Sequence, residues 1–436
     1  MPAVTEGTTM AHNPLDAGLN PEEAVFLPAL QSMYMSSIHC DDKRKIFPRS
    51  PELNWYDPDN EHWAYGATLY SVGQSDLLLD DDVEGMVTNR DRSRTLLIAD
   101  SGGYQIGRSS FHNYEKKITR EFLHEPGYDE LRLNILRWME AFADYGLIID
   151  FPAWAVGEEG FILPTVPDCL RETKRNCLFL RDNYNQEKPV RFLTVLQGTY
   201  FGEAMQWYNA LKAIEGFPYR GWSFAGPVAG NPIITTQMLL ALWRDGRINE
   251  TENWVHLLGK GSVKAAFVFN VLQQCITDYV CPTAHISYDV SSPFLMGSFG
   301  RFYTHGVSNS EEIALKQKRA EQDDISFIKE TYKRWCVWDS PFAKDIDFDE
   351  LFVEISKHGL DTKSYAVLMH HNLYITNMAI KMMAFQSRLP DNELNGLIPN
   401  IYVRFRRDVR KIFETFTTDT DINNLPLSAD YAKLIG

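Results

Sequence analysis

Short apolar runs, each ended by a polar residue or a glycine, recur along this chain from residue 95 onward and restrict the folds open to it. Six runs end in this way: Thr95–Ala99 before Asp100, Gly146–Ile149 before Asp150, Phe192–Leu196 before Gln197, Trp222–Ala225 before Gly226, Trp254–Leu258 before Gly259 and His285–Tyr288 before Asp289. Segments with helical spacing separate the runs, near 128–144, 168–184, 202–214, 234–244 and 263–278. This alternation predicts a parallel sheet, either a closed barrel or an open doubly wound sheet.

Two features favour the closed barrel. No Gly-x-Gly-x-x-Gly motif follows an early strand, which argues against a nucleotide-binding open sheet. Polar residues at successive strand ends are typical of a barrel whose site lies on its C-terminal face. The sequence therefore predicts an α/β fold, a TIM (β/α)8 barrel with insertions and a helical C-terminal extension. We assign residues 1–24 to a flexible lead-in, 25–390 to the barrel and 391–436 to the basic helical extension.

Four of the strand ends carry side chains that suit chemistry at one mouth: Asp100, Asp150, Gln197 and Asp289. In either parallel fold the C-terminal strand ends lie together, so we expect these groups to converge. A single strand-end Asp is more often a helix N-cap than a catalytic group. Four polar ends directed at one opening favour a functional site.

The formal net charge of −15 argues at first against a nucleic-acid partner, because phosphates are usually met by clustered Lys and Arg. Residues 1–89, however, hold 15 Asp and Glu against 4 Lys and Arg, so most of the excess is N-terminal. A basic cluster lies on an apparent helix near the other end: Arg404, Arg406, Arg407, Arg410 and Lys411. We predict phosphate contact for this cluster, with a solvated helix face as the alternative.

Cysteine usage and hydropathy point to a reducing compartment. The six cysteines form no even disulfide framework, and the N-terminus shows no charged segment followed by a long apolar run. No stretch approaches the roughly 20 apolar residues of a membrane span, and the mean hydropathy is −0.29. We therefore expect a soluble, cytoplasmic protein without a membrane partner.

The segment Asp100-Ser101-Gly102-Gly103-Tyr104-Gln105 is the most specific motif. Two glycines after a strand-end Asp let the backbone approach a ligand closely, and the following Tyr ring can cover a flat heterocycle. By itself the motif also fits a tight turn between a strand and a helix.

This motif resembles the hallmark of the tRNA-guanine transglycosylase family, Asp-Ser-Gly-Gly-Phe/Tyr-Gln at a strand end. Further ordered matches follow along the chain: Asp150, Gln197-Gly198, Ala225–Gly230, Leu257–Gly259, and the set Asp289, Pro293, Gly297, Gly300 and Tyr303-Thr304. The resemblance spans roughly residues 95–305, with a weaker echo at Val25–Pro28.

The resemblance implies exchange of guanine in a nucleic acid for a 7-deazaguanine base. Double displacement at the sugar's anomeric carbon would use Asp289 as nucleophile and Asp100 as general acid and base. The implied base-binding residues are Ser101, Gly103, Tyr104, Asp150, Gln197, Gly226, Pro227 and Leu258. No cofactor is required for this chemistry.

Departures from the family pattern bear on the substrate. Asn231 stands where bacterial tRNA enzymes have a Glu associated with an aminomethyl group, which favours a neutral base such as preQ0. Leu295 and Ser298 stand where the family has arginines that contact phosphate, and we predict that the nearby Arg301 contacts the nucleic-acid backbone. Because these changes affect the features that hold tRNA, the chain is closest in character to the DNA-modifying 7-deazaguanine transglycosylases of phages and bacteria. We predict DNA as the partner, with tRNA second.

The family's structural zinc site is not retained in full. Cys336 and His371-Asn372 correspond to its two ends, but Trp338 and Pro341 stand where the other thiolates would be. One thiolate and one His do not make a closed tetrahedral site. Cys275, Cys281 and His285 form a second candidate set, for which buried Cys and His are the commoner interpretation. We expect no metal.

Two other classes of protein stay open. One is a non-catalytic partner subunit of such an enzyme, although subunits of that kind tend to lose the catalytic carboxylates, and Asp100 and Asp289 are present. The other is an unrelated barrel enzyme acting on a small molecule. The sequence leaves a homodimer open.

Overall fold

A closed barrel of eight parallel strands forms the centre of the molecule, in the order β1 to β8 around the ring. The structure, a computed structural model, describes residues 17–38, 53–79, 84–112, 114, 117–319 and 362–435. The strands are β1 (Val25–Leu30), β2 (Ala67–Ser71), β3 (Leu96–Asp100), β4 (Tyr145–Leu147), β5 (Arg191–Leu196), β6 (Tyr219–Phe224), β7 (Trp254–Leu257) and β8 (His285–Val290). The predicted fold class, a TIM-like α/β barrel, is confirmed.

All six predicted runs are strands of this barrel, β3 to β8, and the segment at Val25–Pro28 belongs to β1. Their side chains are buried almost throughout, as expected for strands covered on both faces. The ring closes where Val25–Pro28 pairs in parallel with Ser287–Val290, which places Leu27 opposite Asp289. On the other side, Ser71 of β2 lies opposite Asp100 of β3.

Helices surround the barrel at the predicted positions. In chain order they are α1 (Ser32–Ile38), α2 (Gly85–Thr88), α3 (Gly103–Gly107), α4 (Pro126–Phe142), α5 (Val166–Asn183), α6 (Phe201–Lys212), α7 (Pro227–Gly230), α8 (Pro232–Arg244), α9 (Val263–Tyr279), α10 (Ser292–Ser298), α11 (Thr362–Arg388), α12 (Asp391–Leu394) and α13 (Asn400–Thr415). Several begin with side-chain caps; the Ser262 hydroxyl, for example, accepts a hydrogen bond from the amide of Ala265 in α9. Among the described helices, none is long and apolar enough to cross a membrane.

A two-stranded hairpin, β9 (Arg301–Ser308) and β10 (Ile313–Arg319), follows the barrel, and α11 packs against it. Asn372 of α11 holds the hairpin in place: its Oδ1 accepts the Tyr303 amide at 2.7 Å, and its Nδ2 donates to the Arg301 carbonyl at 2.9 Å. The His371 Nε2 lies 2.8 Å from the Tyr303 carbonyl oxygen. In this structure the His-Asn pair therefore joins a helix to a hairpin, and Cys336 lies outside the described residues.

The basic cluster of α13 is mostly bound to other parts of the chain. Arg406 is 6% exposed and donates to the carbonyls of Ser387 and Leu389 and to the Asp391 carboxylate. A buried guanidinium with these partners is not available to phosphate, so we correct the prediction for Arg406. Arg407 pairs with Asp391 at 2.9 Å, and Arg410 pairs with Asp278 of α9 at 2.9 Å.

Arg404 and Lys411 are exposed on the same helix. Phosphate contact stays a prediction for these two residues and for Arg407 and Arg410.

Candidate functional site

The two aspartates proposed for catalysis lie at the C-terminal mouth of the barrel. Asp100 ends β3, and its Oδ2 accepts a hydrogen bond from the Ser71 hydroxyl of β2 at 2.7 Å. Asp289 lies near the end of β8 and is 6% exposed. Its Oδ1 accepts the backbone amide of Gly259, which follows β7, at 2.5 Å. Neighbouring strands therefore hold both carboxyl groups in place.

The surroundings of Asp100 favour its protonated form. Burial raises the pKa of this carboxyl, the hydrogen bond from Ser71 lowers it in part, and the charge of Asp289 raises it again, with a net increase. The effect of Asp289 on Asp100 means that the two carboxyl groups share one electrostatic environment. A carboxyl with a raised pKa can carry a proton near neutral pH and act as a general acid.

A second polar pair lines the mouth between β4 and β5. The Gln197 Nε2 donates to the Asp150 Oδ2 at 2.6 Å, and both residues are buried. Within the described residues, the Gln197 Oε1 is buried without a hydrogen-bond partner. An orphaned buried acceptor is costly unless a ligand donates to it, so this oxygen marks a place for a ligand N–H.

Burial raises the pKa of Asp150 to about 7. The hydrogen bond from Gln197 lowers this pKa in part, and the charge of Asp100 raises it. The folded state therefore binds this proton more tightly than the unfolded chain does. The free energy of unfolding should fall as the pH rises from about 4 to about 7 and become level above that range. We expect Asp150→Asn, which stays neutral, to remove this component, worth roughly 2 to 4 kcal/mol, in urea unfolding measured across these pH values.

Asp182 offers a matched control because it is exposed and its pKa is lowered by the hydrogen bond from Arg181. Its contribution has the opposite sign, since it is lost as the pH falls. An unchanged pH slope in Asp150→Asn would contradict the burial of a titrating carboxyl at this position.

Glycines allow backbone and ring atoms to approach closely around the barrel mouth. Gly102 adopts a left-handed φ of 76° at the turn into α3. A side chain on Gly103 would lie 1.8 Å from the Asp150 carbonyl oxygen. The segments that follow β3 and β4 therefore approach each other so closely here that only glycine fits. A side chain on Gly226 would lie 2.9 Å from the Trp154 ring.

Two exposed aromatic rings follow β3 and β4 near the barrel mouth. Tyr104 and Trp154 stack with centroids 5.2 Å apart at 27°, and both are exposed. Tyr104 was predicted from the sequence, but Trp154, which follows β4 four residues after Asp150, was not. A tryptophan in a loop after a strand was the available signal.

The other predicted base-binding residues differ in accessibility. The Ser101 side chain is fully buried and donates to the Ile148 carbonyl at 3.0 Å, so it joins the two strand ends instead of facing the pocket. We correct its role from base contact to positioning of the motif. Pro227 and Leu258 are half-buried at the ends of β6 and β7. Arg301, predicted to contact phosphate, is exposed at the start of β9.

One polar residue beside Asp289 was not predicted. His256 lies in the middle of β7, fully buried, with its Nε2 3.3 Å from the Asp289 Oδ1 and its Nδ1 2.9 Å from the Ser287 hydroxyl. Trp254 donates from its indole nitrogen to the same hydroxyl at 2.8 Å. The only signal in the sequence is a histidine inside an otherwise apolar run.

Within the described ranges, no group of three or more His, Cys, Asp or Glu residues is placed to hold a metal ion. Cys275 and Cys281 are buried, and burial raises the pKa of the Cys275 thiol to about 12. His285 is also buried, which lowers its pKa to about 4.

Comparison with models of protein families matches none of them, and comparison with curated proteins gives no match. The motifs and the geometry of this site are therefore the basis for assigning a function.

Proposed function

We propose that this protein exchanges guanine in DNA for a neutral 7-deazaguanine base of the preQ0 type, as the tRNA-guanine transglycosylase family does in tRNA. The observation that carries the proposal is the pair of carboxyl groups at positions 100 and 289, which come from β3 and β8 and act on each other across one barrel mouth. Both groups are held by neighbouring strands, and an acceptor for a planar base lies beside them.

In the first step, a carboxylate oxygen of Asp289 attacks the anomeric carbon of the nucleotide. The bond from that carbon to guanine breaks, its electron pair goes to the base nitrogen, and Asp100 supplies the proton. The direction of the pKa shift supports this role, because burial of Asp100 favours the protonated form that a general acid needs. The product is a covalent ester between Asp289 and the sugar.

In the second step, a ring nitrogen of the 7-deazaguanine attacks the same carbon from the face that guanine left. The ester bond breaks, its electrons return to Asp289, and Asp100 takes the proton from the incoming base. Two inversions give overall retention, as in other double displacements at an anomeric carbon. No net hydrolysis occurs.

Selection of a guanine-like edge is assigned to Asp150 and Gln197. Guanine and 7-deazaguanines present N–H donors, and the site offers the Asp150 carboxyl and the unpaired Gln197 Oε1 as acceptors. A base without these donors would leave a buried acceptor unpaired, at a cost of about 1 to 3 kcal/mol. The target base must leave its stack to reach the mouth, and Tyr104 and Trp154 provide aromatic surface that offsets part of that cost.

The choice of DNA over tRNA is supported by the residues around the mouth. Leu295 is exposed where the family has an arginine that contacts phosphate, and Phe299, four residues later, is also exposed. Both catalytic carboxylates are present and in one place, which favours an active enzyme over a non-catalytic partner subunit.

The test is incubation of the purified protein with labelled preQ0 and either guanine-containing DNA or tRNA, followed by nucleoside analysis of each polymer. We expect label in DNA. Label in tRNA alone would replace the proposed substrate, and label in neither polymer would overturn the proposed activity.

A further inference from the structure

A chain of four buried side chains ends at Asp289. The contacts run from Trp254 on β7 to Ser287 on β8, back to His256 on β7, and then to Asp289 on β8. All four residues are between 0% and 6% exposed. Within the described residues, the Ser287 hydroxyl has two neighbours, the Trp254 indole nitrogen at 2.8 Å and the His256 Nδ1 at 2.9 Å. Buried polar groups are usually hydrogen-bonded, yet within the described residues the His256 Nε2 is buried without a hydrogen-bond partner.

The hydrogen-bond donors in this chain determine the tautomer of His256. An indole N–H can only donate, so the Ser287 oxygen accepts from Trp254. The serine's own proton is then free to go to the His256 Nδ1, the acceptor within reach. A neutral imidazole with an unprotonated Nδ1 carries its proton on Nε2. That nitrogen faces the Asp289 Oδ1 at 3.3 Å.

The two carboxylate oxygens of Asp289 are therefore unequal. Oδ1 accepts a hydrogen bond from the Gly259 amide at 2.5 Å, and the His256 Nε2 lies 3.3 Å from it without a hydrogen bond. Within the described residues, Oδ2 accepts no hydrogen bond. The imidazole contact is longer than a charge-assisted hydrogen bond, and catalytic contacts of this kind tighten when substrate is bound.

We infer that His256 is a positioning residue for the nucleophile: it directs its Nε2–H to the Asp289 Oδ1, so that Oδ2 forms the bond to the sugar. This inference rests on the proposed function, because it assigns the oxygen that becomes the ester linkage. When the ester breaks, the electron pair of the C–Oδ2 bond returns to the carboxylate. The Gly259 amide stabilises that charge at Oδ1, and the His256 Nε2–H adds to it once the 3.3 Å contact shortens.

This contact should affect the second step of the reaction, in which the ester between Asp289 and the sugar breaks. Donors to Oδ1 stabilise the free carboxylate more than the neutral ester, so they favour release of the modified nucleotide from the enzyme. Loss of the His256 donor should therefore make the covalent intermediate accumulate. Its release should slow by about 10-fold or more, since loss of a single preorganised donor commonly has this effect.

Two conservative substitutions separate positioning from a purely structural role. Glutamine reaches about as far as the imidazole Nε2, whereas asparagine reaches only about as far as Nδ1. His256→Gln therefore keeps a donor for Asp289, and His256→Asn keeps only a partner for Ser287. If His256 merely filled the core and satisfied Ser287, His256→Asn would be the better substitute.

The experiment measures single-turnover exchange and the covalent protein–DNA adduct on denaturing gels for both variants. We expect His256→Gln to remain within about 3-fold of the unaltered protein and His256→Asn to accumulate adduct, with release slowed about 10-fold or more. Ser287→Ala, which leaves the imidazole but removes the hydroxyl, should give a smaller accumulation. Equal behaviour of the Gln and Asn variants, or better function of the Asn variant, would overturn the inference.

Crystal structures of the two variants provide a readout that does not depend on activity. The Asp289 carboxylate should keep its position in His256→Gln and lose it in His256→Asn. An unmoved carboxylate in His256→Asn would refute the positioning role even if exchange is observed. Absence of exchange in the unaltered protein would instead refute the proposed function, and the crystallographic comparison would still decide the role of His256.

Discussion

Asp289→Asn should abolish base exchange while leaving the fold intact. An amide is far too poor a nucleophile to attack the anomeric carbon, and loss of a covalent nucleophile commonly costs about 10⁴-fold or more in rate. The Asn side chain has nearly the same shape, and its Oδ1 can still accept from the Gly259 amide. Incorporation of labelled preQ0, followed over time, measures the loss.

The matched control is Asp182→Asn, the same chemical change at an exposed position on α5. It should exchange base at the normal rate, and both variants should unfold at the same urea concentration as the unaltered protein. Normal incorporation by Asp289→Asn would show that position 289 does not carry the nucleophile. In the unaltered protein, a nucleic-acid adduct that survives denaturation should be visible, and it should be missing from Asp289→Asn.

Gly103→Ala should destabilise the protein and disturb the candidate site together. The added methyl group would lie 1.8 Å from the Asp150 carbonyl oxygen, and the obstacle is backbone, which cannot rotate away as a side chain would. Either β3 and β4 separate or the turn before Tyr104 shifts. Overpacking of this kind costs about 1 to 3 kcal/mol and occasionally more. We expect a lower midpoint in urea unfolding, together with loss of exchange because Tyr104 and Asp150 move apart.

Gly85→Ala provides the comparison, since this glycine also begins a helical segment and its added methyl group would meet only the Asn89 side chain at 3.4 Å. It should be neutral or slightly stabilising, because alanine restricts the unfolded chain more than glycine does. Equal effects of the two substitutions would mean that the close approach of Gly103 to Asp150 is not a feature of the folded protein.

The sequence predicts the barrel because each of six strands has two recognisable features. One is an apolar run, and the other is the polar residue or glycine that ends the run. β2 gives neither sign: Ala67–Ser71 mixes small, aromatic and hydroxyl side chains. Its buried polarity is satisfied by neighbours, as when the Thr68 hydroxyl donates to the Pro28 carbonyl. A strand that uses side-chain hydrogen bonds inside the ring has no apolar run to detect.

The candidate site was predictable where its residues lie at strand ends, and less so where function depends on contact between strands. His256 is separated from Asp289 by a whole helix in the sequence, and its role appears only when β7 and β8 lie side by side. A single histidine in a strand is more often part of the core, so the pattern alone could not identify it.

The burial of Arg406 could have been predicted from its position on the helix. The buried positions of α13 include Tyr402, Val409 and Phe413, which repeat at helical spacing, and Arg406 falls on the same face. The charge of that residue suggested solvent or phosphate, whereas its phase on the helix indicated an inward position. Asp391 and two backbone carbonyls provide the partners that allow its burial.

The strand that carries the proposed nucleophile is also one of the two strands that close the ring, because Val25–Pro28 pairs with Ser287–Val290. A chain in which the first strand has not yet docked would carry position 289 on an open edge, with one side unsupported. An activity assay would then report only those molecules in which the ring of strands is closed.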